Sequence, residues 1–133
     1  MEFWEELDRF PFGDGPELAD ELLALILADR KTATCWSMAE GSKGTEVGKQ
    51  WVVEDGAGRP RAVLQTIELT QRRFAEVDLT FAADEGEGDG SLAYWRSAHQ
   101  EYFTRNGGFS PDMPLWCERF KLVQIIPLET QHP

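Results

Sequence analysis

The sequence predicts an α+β fold, a small and mostly antiparallel β-barrel or sheet packed with two main helices. Two stretches carry apolar residues at helical spacing, and four runs are rich in β-formers. Their order is helix, three strands, helix, strand, which indicates an α+β fold on a mostly antiparallel sheet. Because 133 residues is the length of one ordinary domain, we expect residues 1–133 to form a single domain.

The first helix is predicted over residues 16–29. Asp14 is a candidate N-cap, Pro16 suits the first turn, and Glu17 stands three residues after the cap. Apolar side chains then recur at helical spacing and form a face for the core: Leu18, Leu22, Leu25 and Ile26. Residues 31–36 are rich in β-formers, which predicts a strand entered directly from this helix.

The middle of the chain predicts a β-hairpin. Strand-like residues 50–54 and 61–69 flank residues 55–60, a connection that contains glycine and proline. The second run does not alternate cleanly between apolar and polar residues. This favours partial burial of both its faces, as in a small barrel.

A second helix and a closing strand are predicted in the last third of the chain. Ser91 is a candidate cap for a helix over residues 91–104, which the glycines after Asn106 end. Residues 115–126 then alternate between two faces, one of which carries Trp116, Glu118, Phe120 and Leu122.

The composition is that of an ordinary globular protein and excludes a disordered chain. No apolar run approaches the roughly 20 residues that cross a bilayer, and the first residues lack the basic start of a secretory signal. Cys35 and Cys117 match neither a C-x-x-C metal pair nor a disulfide framework. We therefore expect a cytoplasmic protein with free thiols and no membrane partner.

The formal net charge of -11 disfavours a protein held to nucleic acid through phosphate contacts alone. One stretch, residues 41–73, nevertheless contains more bases than acids. A small positive patch is therefore expected from its bases: Lys43, Lys49, Arg59, Arg61, Arg72 and Arg73.

Lys31 and Thr34 place an amine and a hydroxyl at the junction of the first helix and strand. A hydroxyl becomes a good nucleophile when a base takes its proton, and lysine does so only if its pKa falls from about 10.4. Positions three apart in a regular strand face opposite ways, so the two share a pocket only if Lys31 precedes the strand or a bulge intervenes. The alternative is structural, with Lys31 at the helix C-terminus and the threonines as strand formers.

Acidic residues alternate with glycine from Glu85 to Gly90. The spacing imitates the start of a calcium loop, but Arg96 stands where the bidentate glutamate belongs, so calcium is not expected. One carboxylate could instead turn inward and orient Lys31 or bind a ring nitrogen of a substrate. The alternative is a solvated turn whose acids stabilise the next helix.

No metal site or cofactor is predicted, since His99 and His132 are the only histidines. His99 with Cys35 could form a thiol nucleophile and its base, although nothing in the spacing indicates that they meet. A hydrogen-bonded histidine at the edge of the core is the alternative. Trp36 precedes a glycine-rich loop and is the tryptophan best placed to form the wall of a pocket.

These residues together resemble the ASCH domain family of the PUA-like superfamily. The resemblance rests on residues 10–14, on residues 29–35 after the leucine-rich helix, and on the block from Glu85 to His99. It spans roughly residues 10–126. It implies a small β-barrel packed with helices and a cleft that faces RNA, nucleosides or related ligands.

Some short members of this family hydrolyse the acetyl amide of N4-acetylcytidine with a lysine and a threonine three residues apart and a glutamate before the second helix. By this resemblance Thr34 would be the nucleophile, Lys31 its base, and Glu87 the supporting carboxylate, with Glu85 as the alternative. Substrate contacts are expected from Trp36, Arg96 and His99. This chain is longer than those enzymes, with an extra N-terminal segment and a longer loop at residues 36–49.

The expected function is therefore deacylation of a small modified nucleoside such as N4-acetylcytidine, without a cofactor. The -11 charge favours a substrate without phosphates. The alternative is a module that binds single-stranded RNA, with or without metal-independent ribonuclease activity.

Overall fold

The computed structural model describes residues 2–13, 15–41 and 43–128. The strands in these ranges are β1 (Arg9–Pro11), β2 (Ala33–Ser37), β3 (Gln50–Glu54), β4 (Pro60–Arg73) and β5 (Pro114–Ile125). The α-helices are α1 (Pro16–Leu27), α2 (Leu79–Glu85) and α3 (Leu92–Arg105). Short 3-10 helices cover Phe3–Glu6, Met38–Glu40 and Phe74–Glu76.

The strands form one five-stranded sheet in the order β1-β3-β4-β5-β2. All neighbouring pairs are antiparallel except β1 and β3, which are parallel. The predicted α+β class, the hairpin and the mostly antiparallel sheet are confirmed. In the described ranges β1 and β2 lie at opposite edges without pairing, so backbone hydrogen bonds do not close the sheet into a barrel.

Both faces of β4 are buried near its start, where Ala62, Val63 and Leu64 are fully inaccessible to solvent. One face packs against α1 in a cluster that includes Leu23, Ile26, Trp51, Leu64 and Phe120. The other face packs in a smaller cluster of Trp4, Val52, Val63 and Ile126. This two-sided burial explains why the strand does not alternate cleanly in sequence.

A third apolar cluster holds α2 and α3 against β2 and β5. Its buried members include Ala33, Phe81, Trp95, Phe103 and Leu115. This packing fixes the start of β2 and the end of α2 in one region of the molecule, where the first helix also ends.

Several element boundaries differ from the sequence prediction. Helix α1 ends at Leu27 and not at residue 29, and Gly15 occupies its N-cap position. The predicted cap, Asp14, lies outside the described residues. The strand β1 and the helix α2 were not predicted; α2 begins after Asp78, whose side chain accepts a hydrogen bond from the Phe81 N–H.

Cys35 and Cys117 are cross-strand partners in β2 and β5, and both thiols are free, as the sequence predicts. Among the described helices, none is long and apolar enough to span a lipid bilayer.

Candidate functional site

A cavity of about 490 Å³ lies between β2, α3 and the segment around β1. Its volume falls in the range of sites that hold small organic ligands. Aromatic rings form much of its wall: Phe10, Phe12, Trp36, Trp51, Tyr94 and Tyr102. Its polar lining includes Lys31, Thr34, Cys35, Glu85, Glu87, His99 and Glu118.

Lys31 enters this cavity because it stands between α1 and β2. Asp29 adopts a positive φ of 60° at the end of the helix, and the Lys31 N–H still donates to the Leu25 carbonyl at 3.1 Å. Strand β2 begins only at Ala33. Lys31 therefore precedes the regular strand, and it lines the same cavity as Thr34.

The Lys31 ammonium is 2% exposed and is bound on all sides. Its Nζ donates to the Ala33 carbonyl at 2.8 Å, to Glu87 Oε2 at 2.8 Å and to Glu85 Oε1 at 3.3 Å. These contacts use the three protons of the ammonium. We call Lys31, Glu85 and Glu87 the ion triplet.

The ion triplet keeps Lys31 protonated. Burial by itself would lower the pKa of Lys31, but attraction by Glu85 and then by Glu87 outweighs it and raises the pKa above its ordinary value. A protonated amine has no lone pair with which to accept a proton. This geometry therefore disfavours Lys31 as the base expected from the resemblance.

Gly86 allows the two acids to reach Lys31. It ends α2 with a φ of 70°, and a Cβ at this position would overlap the carbonyl oxygen of Arg30. Beside it, the Thr32 N–H donates to the Asp84 carbonyl at 2.7 Å. The end of α2 thus lies directly against the start of β2. This close backbone approach leaves no room for a side chain at position 86.

Glu85 is the most connected member of the ion triplet. Its Oε2 accepts a hydrogen bond from Trp95 Nε1 and a longer one from the Cys35 thiol at 3.5 Å. His99 Nε2 lies 3.6 Å from the same oxygen. His99 Nδ1 lies 2.9 Å from the Trp95 carbonyl oxygen, to which an Nδ1–H tautomer donates, and Nε2 faces the carboxylate.

Cys35, Glu85 and His99 place their donor atoms within 4.8 Å of one another, the one such group in the described part of the chain. The fold therefore brings together His99 and Cys35, whose meeting the spacing did not indicate. Glu85 is already bound by Trp95 and Lys31, and burial raises the pKa of the Cys35 thiol well above its ordinary value. The arrangement therefore fits a hydrogen-bonded network better than a metal centre or an activated thiolate.

Thr34 and Glu118 are direct cross-strand partners in β2 and β5. Side chains at such positions share one face of the sheet, and both line the cavity. Within the described residues, the Thr34 hydroxyl has no hydrogen-bond partner. Glu118 was not predicted as a site residue, although a glutamate between Trp116 and Phe120 on an otherwise apolar strand face is a sequence signal for one.

Glu118 is a buried carboxyl group, 2% exposed. Its Oε2 accepts a hydrogen bond from the Thr66 hydroxyl at 2.5 Å. Burial raises the pKa of Glu118, and the Thr66 hydroxyl, the Trp51 indole and the Lys31 charge oppose this effect without cancelling it. The carboxylate is consequently more basic than one in water.

The other expected binding residues have different positions. Trp36 is 8% exposed and lines the cavity, with its Nε1 donating to the Gly41 carbonyl at 2.8 Å. His99 also lines it. Arg96 does not line the cavity and lies on the exposed surface of α3. The preceding residue, Trp95, points into the core, and each residue of a helix is rotated by about 100° from the one before it.

The basic stretch is largely neutralised by ion pairs. Acidic partners lie within 4 Å of five of its bases: Lys43 with Glu40, Lys49 with Asp8, Arg59 and Arg61 with Asp55, and Arg72 with Asp78. These residues therefore do not form the free positive patch that the sequence suggested. His132 lies outside the described residues.

The fold and cavity define a PUA-like α+β module. Residues 8–124 match the model of the ASCH domain, and the chain belongs to the ASCH domain family. RNA-binding-type modules belong to that family. No curated protein matches the sequence.

Solved structures agree with this assignment. An ASCH domain from Lactobacillus crispatus JV V101 is 32% identical with a TM-score of 0.78, over 86% of this chain and 79% of that one. Protein EF3133 from Enterococcus faecalis V583, described under the family model DUF984, is 28% identical with a TM-score of 0.83, over 94% and 81%. The hypothetical protein PH0355, 11% identical over 86% and 97% with a TM-score of 0.62, shares the fold alone.

Proposed function

We propose that this protein is an amidohydrolase that removes the acyl group from the exocyclic amine of a small modified nucleoside, most specifically N4-acetylcytidine. One observation carries the proposal: the hydroxyl of Thr34, which has no hydrogen-bond partner among the described residues, lines the same ligand-sized cavity as the ion triplet. The lysine and threonine spacing is that of the short N4-acetylcytidine amidohydrolases which the chain resembles. The two free thiols support a reducing, cytoplasmic setting.

The chemistry of the cavity favours a neutral, flat ligand with N–H donors. Four carboxyl groups line it, those of Glu85, Glu87, Glu101 and Glu118, against three cations, Lys31, Lys43 and Arg105, of which Lys31 alone is buried. Such a lining attracts hydrogen-bond donors and repels phosphates. Trp36 and the other aromatic walls offer stacking surfaces for a base. A nucleoside without phosphate meets both requirements.

In the proposed reaction, Oγ of Thr34 forms a bond to the acyl carbon while its proton passes to a base. The tetrahedral intermediate then expels the cytidine amine, which takes up a proton, and leaves an acyl ester on Thr34. Water hydrolyses this ester and releases acetate. Because Lys31 is an ammonium, its role in this scheme is to hold Glu85 and Glu87 in place and to supply positive charge beside the reacting carbonyl.

Hydrolysis of N4-acetylcytidine and of other acylated nucleosides by the purified protein tests the proposal, with the unacylated nucleosides as blanks. We expect Thr34→Ala to lower kcat/KM by at least about 10²-fold and Thr34→Ser to retain much of the activity. Activity that is unchanged in Thr34→Ala would remove the nucleophile. A wild-type protein that hydrolyses none of these amides would refute the proposed function.

Binding of single-stranded RNA is the alternative, and membership of an RNA-binding-type family favours it. The ion pairs in the basic stretch and the net charge of -11 count against it. A titration with RNA at several salt concentrations separates the two functions. Affinity that falls steeply with salt would indicate phosphate contacts, whereas nucleoside binding responds little. RNA cleavage that persists with a chelator would indicate a metal-independent ribonuclease.

A further inference from the structure

The proposed hydrolysis leaves one role unfilled, that of the group which takes the proton from Thr34. Lys31 does not fill it, because the carbonyl of Ala33 and the carboxylates of Glu85 and Glu87 occupy its three protons and hold it as an ammonium. A base must lie within hydrogen-bond reach of the hydroxyl, directly or through one water.

We propose that Glu118 is this base, an assignment that rests on the proposed function. Thr34 and Glu118 are paired residues in the β2–β5 ladder. The hydrogen bond from the Phe120 N–H to the Thr32 carbonyl, 3.0 Å long, fixes this register two residues away. Directly opposed residues have Cβ atoms about 4.5–5.5 Å apart on one face of the sheet. A glutamate side chain is long enough to bring a carboxylate oxygen to a hydroxyl group across that distance.

One oxygen of Glu118 is anchored and the other is available. Oε2 accepts the short hydrogen bond from Thr66, whose hydroxyl in turn accepts from Trp51 Nε1 at 3.3 Å. Among the described residues the Trp51 indole donates to Thr66, and no donor lies in hydrogen-bond geometry with Oε1. Glu118 and Thr34 both line the cavity, where the Thr34 hydroxyl has no partner among these residues either.

The surroundings of Glu118 suit proton transfer. Burial makes the carboxylate a stronger base than an exposed one, and the nearby Lys31 charge favours its ionised form. In the acylation step Glu118 takes the Thr34 proton as the Oγ bond to the acyl carbon forms, and then gives it to the departing amine. In deacylation it takes a proton from the attacking water and returns it to Thr34 Oγ.

Kinetics of Glu118→Gln and Glu118→Asp test this assignment. We expect Glu118→Gln to lower kcat by at least about 10²-fold with little change in KM, and Glu118→Asp to recover part of the loss. Glu46→Gln, an exposed glutamate, is the control and should match the wild type. Thermal melting of each variant checks that it is folded.

The pH profile separates a base from a merely structural residue. Other ionisable groups line the same cavity: Lys31 before β2, Cys35 on β2, Lys43 between β2 and β3, Glu85 and Glu87 at the end of α2 and just after it, and Tyr94, His99, Glu101, Tyr102 and Arg105 on α3. We expect the acidic limb of the kcat profile to disappear in Glu118→Gln and to persist in His99→Gln. If Glu118→Gln does not fold, a shifted acidic limb in Glu118→Asp and in Thr66→Val is the expected result.

The two proposals fail in different ways. Full activity and an unchanged acidic limb in Glu118→Gln, together with an inactive Thr34→Ala, would overturn the role of Glu118 and leave the hydrolase standing. An unshifted limb in both Glu118→Asp and Thr66→Val would overturn it as well. A wild-type protein without activity on any acylated nucleoside would refute both proposals.

Discussion

The ammonium of Lys31 binds the carboxylate of Glu87 at 2.8 Å although the two residues are 56 positions apart in sequence. With Glu85 as its second partner, Lys31 forms the ion triplet where α1, β2 and the end of α2 meet; Lys31 and Glu85 are buried, and the Glu87 side chain is 24% exposed. Charged groups removed from water need close partners on every side. The ion triplet therefore connects the end of α2 to the start of β2, and its three side chains are part of the polar lining of the cavity.

Removing Lys31 should destabilise the fold strongly. Lys31→Met leaves Glu85 and Glu87 without their counter-charge, and breaking a buried pair in this way costs about 3–5 kcal/mol. Lys43→Met is the matched control, because the Lys43 pair with Glu40 is exposed and is worth at most about 1 kcal/mol. Urea unfolding of both variants measures the difference. Equal losses would show that the ion triplet contributes no more than a surface pair.

The contribution of Lys31 should persist into alkaline solution. A lysine whose pKa is raised on folding stabilises the protein fully at pH values below its pKa in the unfolded chain. This stabilisation is lost as the pH rises through its pKa in the folded protein. The free-energy difference between the wild type and Lys31→Met should therefore stay constant up to the ordinary lysine pKa of 10.5 and shrink only above it. A difference that already declines between about pH 8 and 10 would contradict the raised pKa.

Gly86→Ala should disturb both stability and the cavity. The left-handed backbone costs a non-glycine residue about 1–2 kcal/mol, and here the added methyl group would also overlap the Arg30 carbonyl. Gly90→Ala is the control: its φ is 77°, but the space around it is open, so only the backbone cost of about 1–2 kcal/mol applies. Melting curves that rank the two variants equally would contradict the close approach at Gly86.

Glu118→Gln should make the protein more stable above acidic pH, even though it is expected to remove activity. Because burial raises the folded-state pKa of Glu118, the wild type loses stability as pH rises from the ordinary glutamate value through the folded value. The glutamine has no charge to bury and keeps an oxygen for the Thr66 hydroxyl. Denaturation at several pH values should therefore show an advantage for Glu118→Gln that grows as the pH rises above 4.5, the ordinary glutamate pKa. An advantage that is independent of pH would contradict this.

Local patterns predicted most of the fold. The apolar spacing of Leu18, Leu22 and Ile26 predicted α1. The glycines and the proline in residues 55–60 predicted the hairpin of β3 and β4. The strand β1 was missed because it has three residues and ends in proline. The helix α2 was missed because it has seven residues, too few to develop a helical repeat.

The site was less predictable, because it depends on contacts between distant residues. Local spacing and the family resemblance indicated Lys31, Thr34, Glu85 and Glu87, and all four line the cavity. The protonation of Lys31 depends on two acids from another element, which no local pattern specifies. Glu118 meets Thr34 only through the register of β2 with β5. Arg96 belongs to the sequence block on which the resemblance rests, but it faces solvent.

The proposed mechanism depends on transfer of the acyl group to Thr34, and mass spectrometry of the protein mixed with N4-acetylcytidine and quenched in acid detects this transfer. We expect one acetyl group on the peptide that contains Thr34 in the wild type, none in Thr34→Ala, and cytidine formation by that variant at least about 10²-fold slower. Cytidine release by Thr34→Ala at the wild-type rate, with no acetyl group on residue 34 of the wild type, would contradict it.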